Sequence, residues 1–328
     1  MERISRYVPL GAGGPQVSAL GLGCMSLSGA YGAGDDAEGV KLIRSALDRG
    51  VTFLDTADMY GWGRNETLVG AALAGRRGEA FVATKFGYVR GEGDALLING
   101  RPDYVFRACD ASLTRLKLDH IDLYYQHRVD PDVPIDETVD AMGQLVRKGK
   151  VRHIGLSEAR PETIRRAQKV FPVSAAQTEF SLLYRVEAQE TLETARELGI
   201  AFVACSPLGR GLLTSAAPSS AGIAGDRPAT HPRFSARNLA RNLELVDRLA
   251  QLAKAKGCSP SQLALAYVLA KGAIPIPGTR RLARLEKNVE ALDVALSEQD
   301  AAALEQAIPA DAAAGERYPP DLLAKACL

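Results

Sequence analysis

The chain has no Cys-x-x-Cys pair, no His-x-His or His-Glu-x-x-His motif, no long apolar run and almost no excess of charge. Each absence excludes something. The cysteines (Cys24, Cys109, Cys205, Cys258 and Cys327) are odd in number and scattered, which argues against a disulfide framework or a clustered zinc site and fits a reducing cytosol. The few histidines (His120, His127, His153 and His231) offer no metal-ligand spacing, so no metal is expected and a metal-dependent hydrolase is disfavoured. No stretch approaches the ~18 apolar residues of a membrane span. Met1-Glu2-Arg3-Ile4-Ser5 carries no apolar signal core, so a cytoplasmic protein away from membranes is expected. Lys and Arg number 40 against 39 Asp and Glu, a net charge of +1. No basic stripe runs along the chain, and nucleic acid is not the expected partner.

What is present is enough for a core: 46% hydrophobic and 24% charged residues in 328. Eight short apolar runs have strand length: 20–25, 52–55, 81–84, 121–126, 151–155, 174–177, 201–204 and 273–276. Helical patterns fall between them. Val40, Ile43 and Leu47 share a face ahead of a Gly50 stop, and helices are expected near 65–75, 134–148, 187–198, 238–256 and 281–290. Pro102, Pro161 and Pro260 occupy helix starts, and Ser297 with Asp300 resembles a capping box. Eight strand–helix units predict a closed (β/α)8 TIM barrel, one domain over residues 1–328 with no linker. Residues 1–18 predict a β-hairpin ahead of the barrel. The long gap after strand seven, with the aperiodic stretch 206–237, predicts a flap over the barrel mouth.

Barrel enzymes place their chemistry at the C-terminal ends of the strands. Read that way, strand two ends in Asp55, with Asp58 and Tyr60 following. Strand three ends in Lys85, strand four in His127, strand six in Gln177. Strand five runs into Ser157-Glu158, strand seven into Ser206-Pro207-Leu208-Gly209-Arg210-Gly211, strand eight into Pro277-Gly278-Thr279-Arg280. Singly, each has a structural explanation: a turn cap, a solvated lysine, a core histidine, a packed aromatic. Together Asp55, Tyr60, Lys85 and His127 form a proton-transfer set, in which the tyrosine donates, the lysine favours its phenolate and the carboxylate holds the lysine. The stretch Gly32-Ala33-Gly34-Asp35-Asp36-Ala37 fits a dinucleotide fingerprint, but two aspartates at a helix start would oppose a pyrophosphate. It reads better as a first βα loop.

These residues resemble the aldo-keto reductase superfamily over essentially the whole chain. Gly50-Val51-Thr52-Phe53-Leu54-Asp55-Thr56-Ala57-Asp58-Met59-Tyr60-Gly61 and Asn65-Glu66-Thr67-Leu68-Val69-Gly70 are similar to its first signature. Ile121–His127, Gly149–Ser157, Ser206–Gly211 and Ile276–Thr279 follow in the family's order. The branch resembled includes potassium-channel β-subunits and plant and bacterial carbonyl reductases. The resemblance implies an NADPH/NADP+ cofactor, a small-molecule carbonyl substrate and a tetrad of Asp55, Tyr60, Lys85 and His127, with Tyr60 as proton donor. It places Ser157 and Gln177 on the carboxamide, and Ser206, Leu208, Gly209 and Gly211 along the pyrophosphate. Gly278, Thr279, Arg280, Arg284 and Asn288 take the adenosine end, both arginines near the 2′-phosphate. Arg280 and Arg284, four apart, are expected on one helix face. Three positions depart from the pattern: Glu158 where many members carry Asn, Cys205 where an aromatic would stack on nicotinamide, and Lys287 where some carry an acid. Met25, Tyr31, Trp62 and Tyr88, on early loops, are candidates for an apolar substrate pocket. The alternative is a channel-β-type regulatory subunit with little turnover, disfavoured by the lack of a long N-terminal extension. Oligomeric state is not readable.

Overall fold

The computed structural model describes residue 4 and residues 6–28, 35–214 and 230–326. Eight parallel strands follow one another around a single curled sheet: Leu22–Gly23, Phe53–Asp55, Phe81–Phe86, Ile121–Gln126, Val151–Ser157, Val173–Glu179, Ala201–Cys205 and Ile274–Pro275. The last strand meets the first through Gly21 N–H to Pro275 O (2.9 Å) and Gly23 N–H to Pro277 O (3.3 Å). Proline cannot donate to a ladder but its carbonyl still accepts, so two prolines suit an eighth strand whose role at the seam is to accept. The same residues explain why strands one and eight are shorter than the apolar runs that mark them. Residues 24 and 25, expected to end strand one, instead begin a 3₁₀ turn, Cys24–Ser28.

Helices occupy the outer face: Asp36–Asp48, Arg64–Ala72, Pro102–Leu116, Ile135–Arg147, Pro161–Val170 and Val186–Leu198 after strands one to six. Ala236–Ala255 and Pro260–Ala270 follow strand seven, and Leu282–Val289, Glu298–Ala307 and Pro320–Leu323 follow strand eight. The capping box at Ser297 forms with Asp300, and Ser259 forms a second with Gln262 just ahead of Pro260. The N-terminal hairpin pairs Tyr7–Pro9 with Gln16–Ser18 and sends Leu10 and Val17 into the bottom of the barrel. A further hairpin, Tyr88–Arg90 with Leu96–Ile98, stands in the third βα loop, where no strand is expected from the sequence. Its arms are three residues each, too short to show periodicity. Most of the expected flap, residues 215–229, lies outside the described residues, and the helix after it begins at Ala236.

Inside the barrel, Phe53, Ala83, Leu123, Tyr125, Ala175, Val203 and Ile276 form one apolar cluster. Gly155 on strand five makes room for it. A Cβ at Gly155 would stand 2.5 Å from two Tyr125 ring carbons and 2.9 Å from the Ala175 carbonyl oxygen. The Tyr125 ring lies under the Lys85 ammonium, 5.9 Å from its centroid, so overpacking here also reaches the mouth. Gly155→Ala should lower unfolding stability by about 1–3 kcal/mol, read from the denaturant midpoint. In a Tyr125→Leu background the added cost should shrink.

Candidate active site

The strand ends converge on a cavity of about 510 Å³ at the barrel mouth. Asp55, Tyr60, His127, Ser157, Gln177, Ser206, Leu208, Gly211, Gly278, Thr279, Arg280, Arg284 and Asn288 all line it, as do Met25 and Tyr88. Lys85 stands one layer deeper, fully buried, with Nζ 2.5 Å from Asp55 Oδ1 and 2.8 Å from the Thr56 carbonyl oxygen. The other Asp55 oxygen accepts from Gln177 Nε2 at 2.8 Å. Strand six thus fixes the carboxylate of strand two, which in turn fixes the ammonium of strand three. Burial alone would press Lys85 down; Asp55, with Tyr60, outweighs it and holds the ammonium above its ordinary value. The Nζ lies 5.2 Å from the Tyr60 ring centroid. The Tyr60 ring meets His127 edge to face at 5.9 Å, and His127 meets Tyr88 the same way at 5.0 Å.

Several expected positions differ. Tyr31 lies outside the described residues. Trp62 is 42% exposed, carries a left-handed backbone (φ 52°) and stacks under the Arg90 guanidinium at 4.5 Å, away from the cavity. Gly209 forms the turn beneath Gly211 rather than the wall itself. The helix after strand eight starts at Leu282, with Arg281 donating its N–H to Thr279 Oγ1. Arg280 therefore sits in the turn before that helix, not on one face with Arg284; both still border the cavity, with Lys287 beside them.

Glu158 turns away from the mouth. Its backbone is left-handed (φ 53°), its Oε1 accepts from the Glu179 N–H (2.9 Å), and its Oε2 pairs with Arg317 Nη2 at 2.6 Å. Burial alone would raise its carboxyl; Arg317 and Arg128 outweigh that and hold it at about 2. Cys205 lines the cavity, and burial, with Glu158 and Glu179 nearby, pushes its thiol far up, so it is no nucleophile. Arg128, Met59, Tyr318 and Leu322 also line the cavity and carry no sequence signal as strand-end motifs. Arg128 alone was within reach of that reading, as the residue after His127. Among the described residues no cluster of His, Cys, Asp or Glu is arranged to hold a metal, and no helix is long and apolar enough to cross a membrane.

Fold and site together define a barrel enzyme of the oxidoreductase class. The aldo/keto reductase family model matches residues 19–309. A probable aldo-keto reductase from Glycine max is 45% identical over 320 residues, 95% of this chain and 91% of that protein. Among solved structures, a glycerol dehydrogenase from Gluconobacter oxydans superposes with a TM-score of 0.82 at 29% identity, covering 92% of this chain and 94% of its own. An aldo-keto reductase from Bacillus halodurans superposes at 0.78, also 29% identical, covering 95% and 98%. The chain belongs to the aldo/keto reductase family, a family of oxidoreductases acting on carbonyls with nicotinamide cofactors.

Proposed function

We propose that the protein reduces an aldehyde or ketone to the alcohol with NADPH, Tyr60 giving the proton. The observation that carries this reading is the fully buried Lys85 ammonium, held by Asp55 and facing the Tyr60 ring at the cavity wall. A cation there favours the phenolate and so eases proton release from the phenol oxygen. Asp55 keeps the lysine charged and in place, and Gln177 keeps Asp55 in place. His127, edge-on to Tyr60, is set to donate to the carbonyl oxygen as its charge grows.

The donor set fits a phosphorylated dinucleotide. Hydroxyl and amide groups (Ser157, Gln177) border one part of the cavity, and the guanidiniums of Arg280 and Arg284 with Lys287 border another beside buried Thr279 and Asn288. Partial burial, then Arg281 and Arg280, press Arg284 below its ordinary value, so an added anion there is favoured. Ser157 and Gln177 would hold the carboxamide, Ser206, Leu208 and Gly211 the pyrophosphate, and Thr279, Arg280, Arg284 and Asn288 the adenosine end. When bound, the dinucleotide supplies the hydride. A panel of aldehydes and ketones followed by NADPH absorbance tests the reading; no oxidation with any of them would remove it.

The cofactor preference has its own test. The two nicotinamide dinucleotides differ by one phosphate, and charged hydrogen bonds discriminate by about tenfold or more even at a partly wet site. Arg284→Ala should raise the KM for NADPH about tenfold and leave that for NADH almost unchanged. Parallel changes in both constants would mean that the arginine does not meet the phosphate.

A further inference from the structure

Arg128 follows His127 at the end of strand four, is 7% exposed and lines the cavity. Its Nη1 donates to the His127 carbonyl oxygen at 2.7 Å, and its Nη2 reaches the Tyr318 hydroxyl at 3.5 Å. Its Nε is buried with no partner. Among the described residues no carboxylate stands within ion-pair range of it. The carboxylates nearest its cluster are already engaged: Glu158 by Arg317 at 2.6 Å, and Glu179 by Arg210 in a bidentate pair at 3.0 and 2.7 Å, with Arg233 at 3.6 Å. Four guanidiniums thus share two carboxylates in a nearly dry wall, and Arg128 is the one in no contact ion pair, feeling Glu158 only at longer range. A buried cation without a contacting counter-ion is costly, and a bound anion is the means by which such a site recovers that cost.

We infer that Arg128 recognises a carboxylate on the carbonyl substrate, so that the preferred substrates are anionic aldehydes or ketones. This rests on the reductase reading above and narrows it. The guanidinium is tied to the backbone of His127 and lies 5.7 Å from the Tyr88 ring, which itself packs on His127, so an anion there shares the reacting end of the cavity. The cationic rim assigned to the cofactor, Arg280 and Arg284, is a separate cluster after strand eight. One unpaired cation matches a monoanion, and the free edge of a planar guanidinium matches a carboxylate. Tyr88 and Tyr318 flank it with ring faces, which suits a flat or apolar scaffold bearing that carboxylate.

The test compares para-carboxybenzaldehyde and meta-carboxybenzaldehyde with neutral para-methylbenzaldehyde. In the native enzyme kcat/KM should favour at least one carboxylated aldehyde by tenfold or more, the advantage shrinking with added salt. This measurement needs no variant; equal values overturn the inference. In Arg128→Met the ratio should fall to near one, mostly through KM, with NADPH affinity by fluorescence titration unchanged. Arg128→Lys, which keeps the charge and threatens folding less, should retain part of the preference. An unchanged ratio in Arg128→Met, or lost NADPH affinity with the ratio intact, would overturn it, the latter by assigning Arg128 to the cofactor. If no aldehyde is reduced, the reductase reading fails instead. Calorimetric benzoate binding then decides the anion site: binding weakened about tenfold in Arg128→Met supports it, and equal binding overturns it.

Discussion

Tyr60→Phe should turn over roughly 10²–10⁴-fold more slowly than the native enzyme while binding NADPH about as well. The substitution removes one oxygen and leaves the ring, which packs edge-on to His127 and faces the Lys85 ammonium. The contacts of the Asp55–Lys85–Gln177 arrangement run through other atoms: Asp55 is held by Gln177, and Lys85 by Asp55 and the Thr56 carbonyl. Loss of rate therefore reports proton donation, not collapse of the wall. Steady-state rates on a responsive aldehyde, paired with cofactor titration, separate the two. Turnover within a few-fold of native would remove Tyr60 from the proton-donor role and shift attention to His127.

The second large effect belongs to the buried ion cluster. Arg317 is 2% exposed, pairs with Glu158 and lies 4.4 Å over the Tyr184 ring and 4.9 Å over the Tyr318 ring. Arg317→Met leaves Glu158 buried without its principal counter-ion, a change that typically costs about 3–5 kcal/mol. Denaturant unfolding should show that loss, and adding Glu158→Gln should restore part of it. The cluster also predicts acid sensitivity. Folding lowers the Glu158 carboxyl from 4.5 to about 2, so its contribution is present above the unfolded value and is lost as pH falls from 4.5 towards 2. The shift corresponds to stability on the order of 3 kcal/mol. Glu158→Gln should flatten that acid limb; an unaltered limb would place the acid-sensitive group elsewhere.

Strand four, Ile121–Gln126, has the limits of its sequence run, because a parallel strand covered on both faces is buried along nearly all its length, here at every position but Asp122. Strands one and eight fall short of theirs because glycine and proline at the seam end the regular ladder early. The tetrad was legible because barrel geometry turns a position, the strand end, into a location. The looser reading of early loops overreached at Trp62, and the departure noted at Glu158 has a structural cause. A left-handed backbone turns Trp62 outward to Arg90, and Arg317, nearly half the chain away, draws Glu158 off the mouth. Tyr318 could not be read at all, since its place on the cavity wall is set by that distant ion pair rather than by any local pattern. Arg128 could point either way from a strand end, and only the pairing of its neighbours shows it to be without a contacting acid.

The link between Glu158 and Arg317 also bears on how the enzyme is made. Chains emerge N-terminus first, and most of the barrel strands precede the residues that close the mouth. Glu158 and Glu179 leave the ribosome long before Arg317 exists, with Arg210 and Arg233 arriving in between. Until Arg317 and the residues after it emerge, Glu158 lacks its ion-pair partner and the cavity lacks Tyr318 and Leu322 from its wall. A nascent chain that stops before Arg317 would therefore have all eight barrel strands and the whole tetrad, but a buried Glu158 without its arginine and a cavity wall without Tyr318 and Leu322.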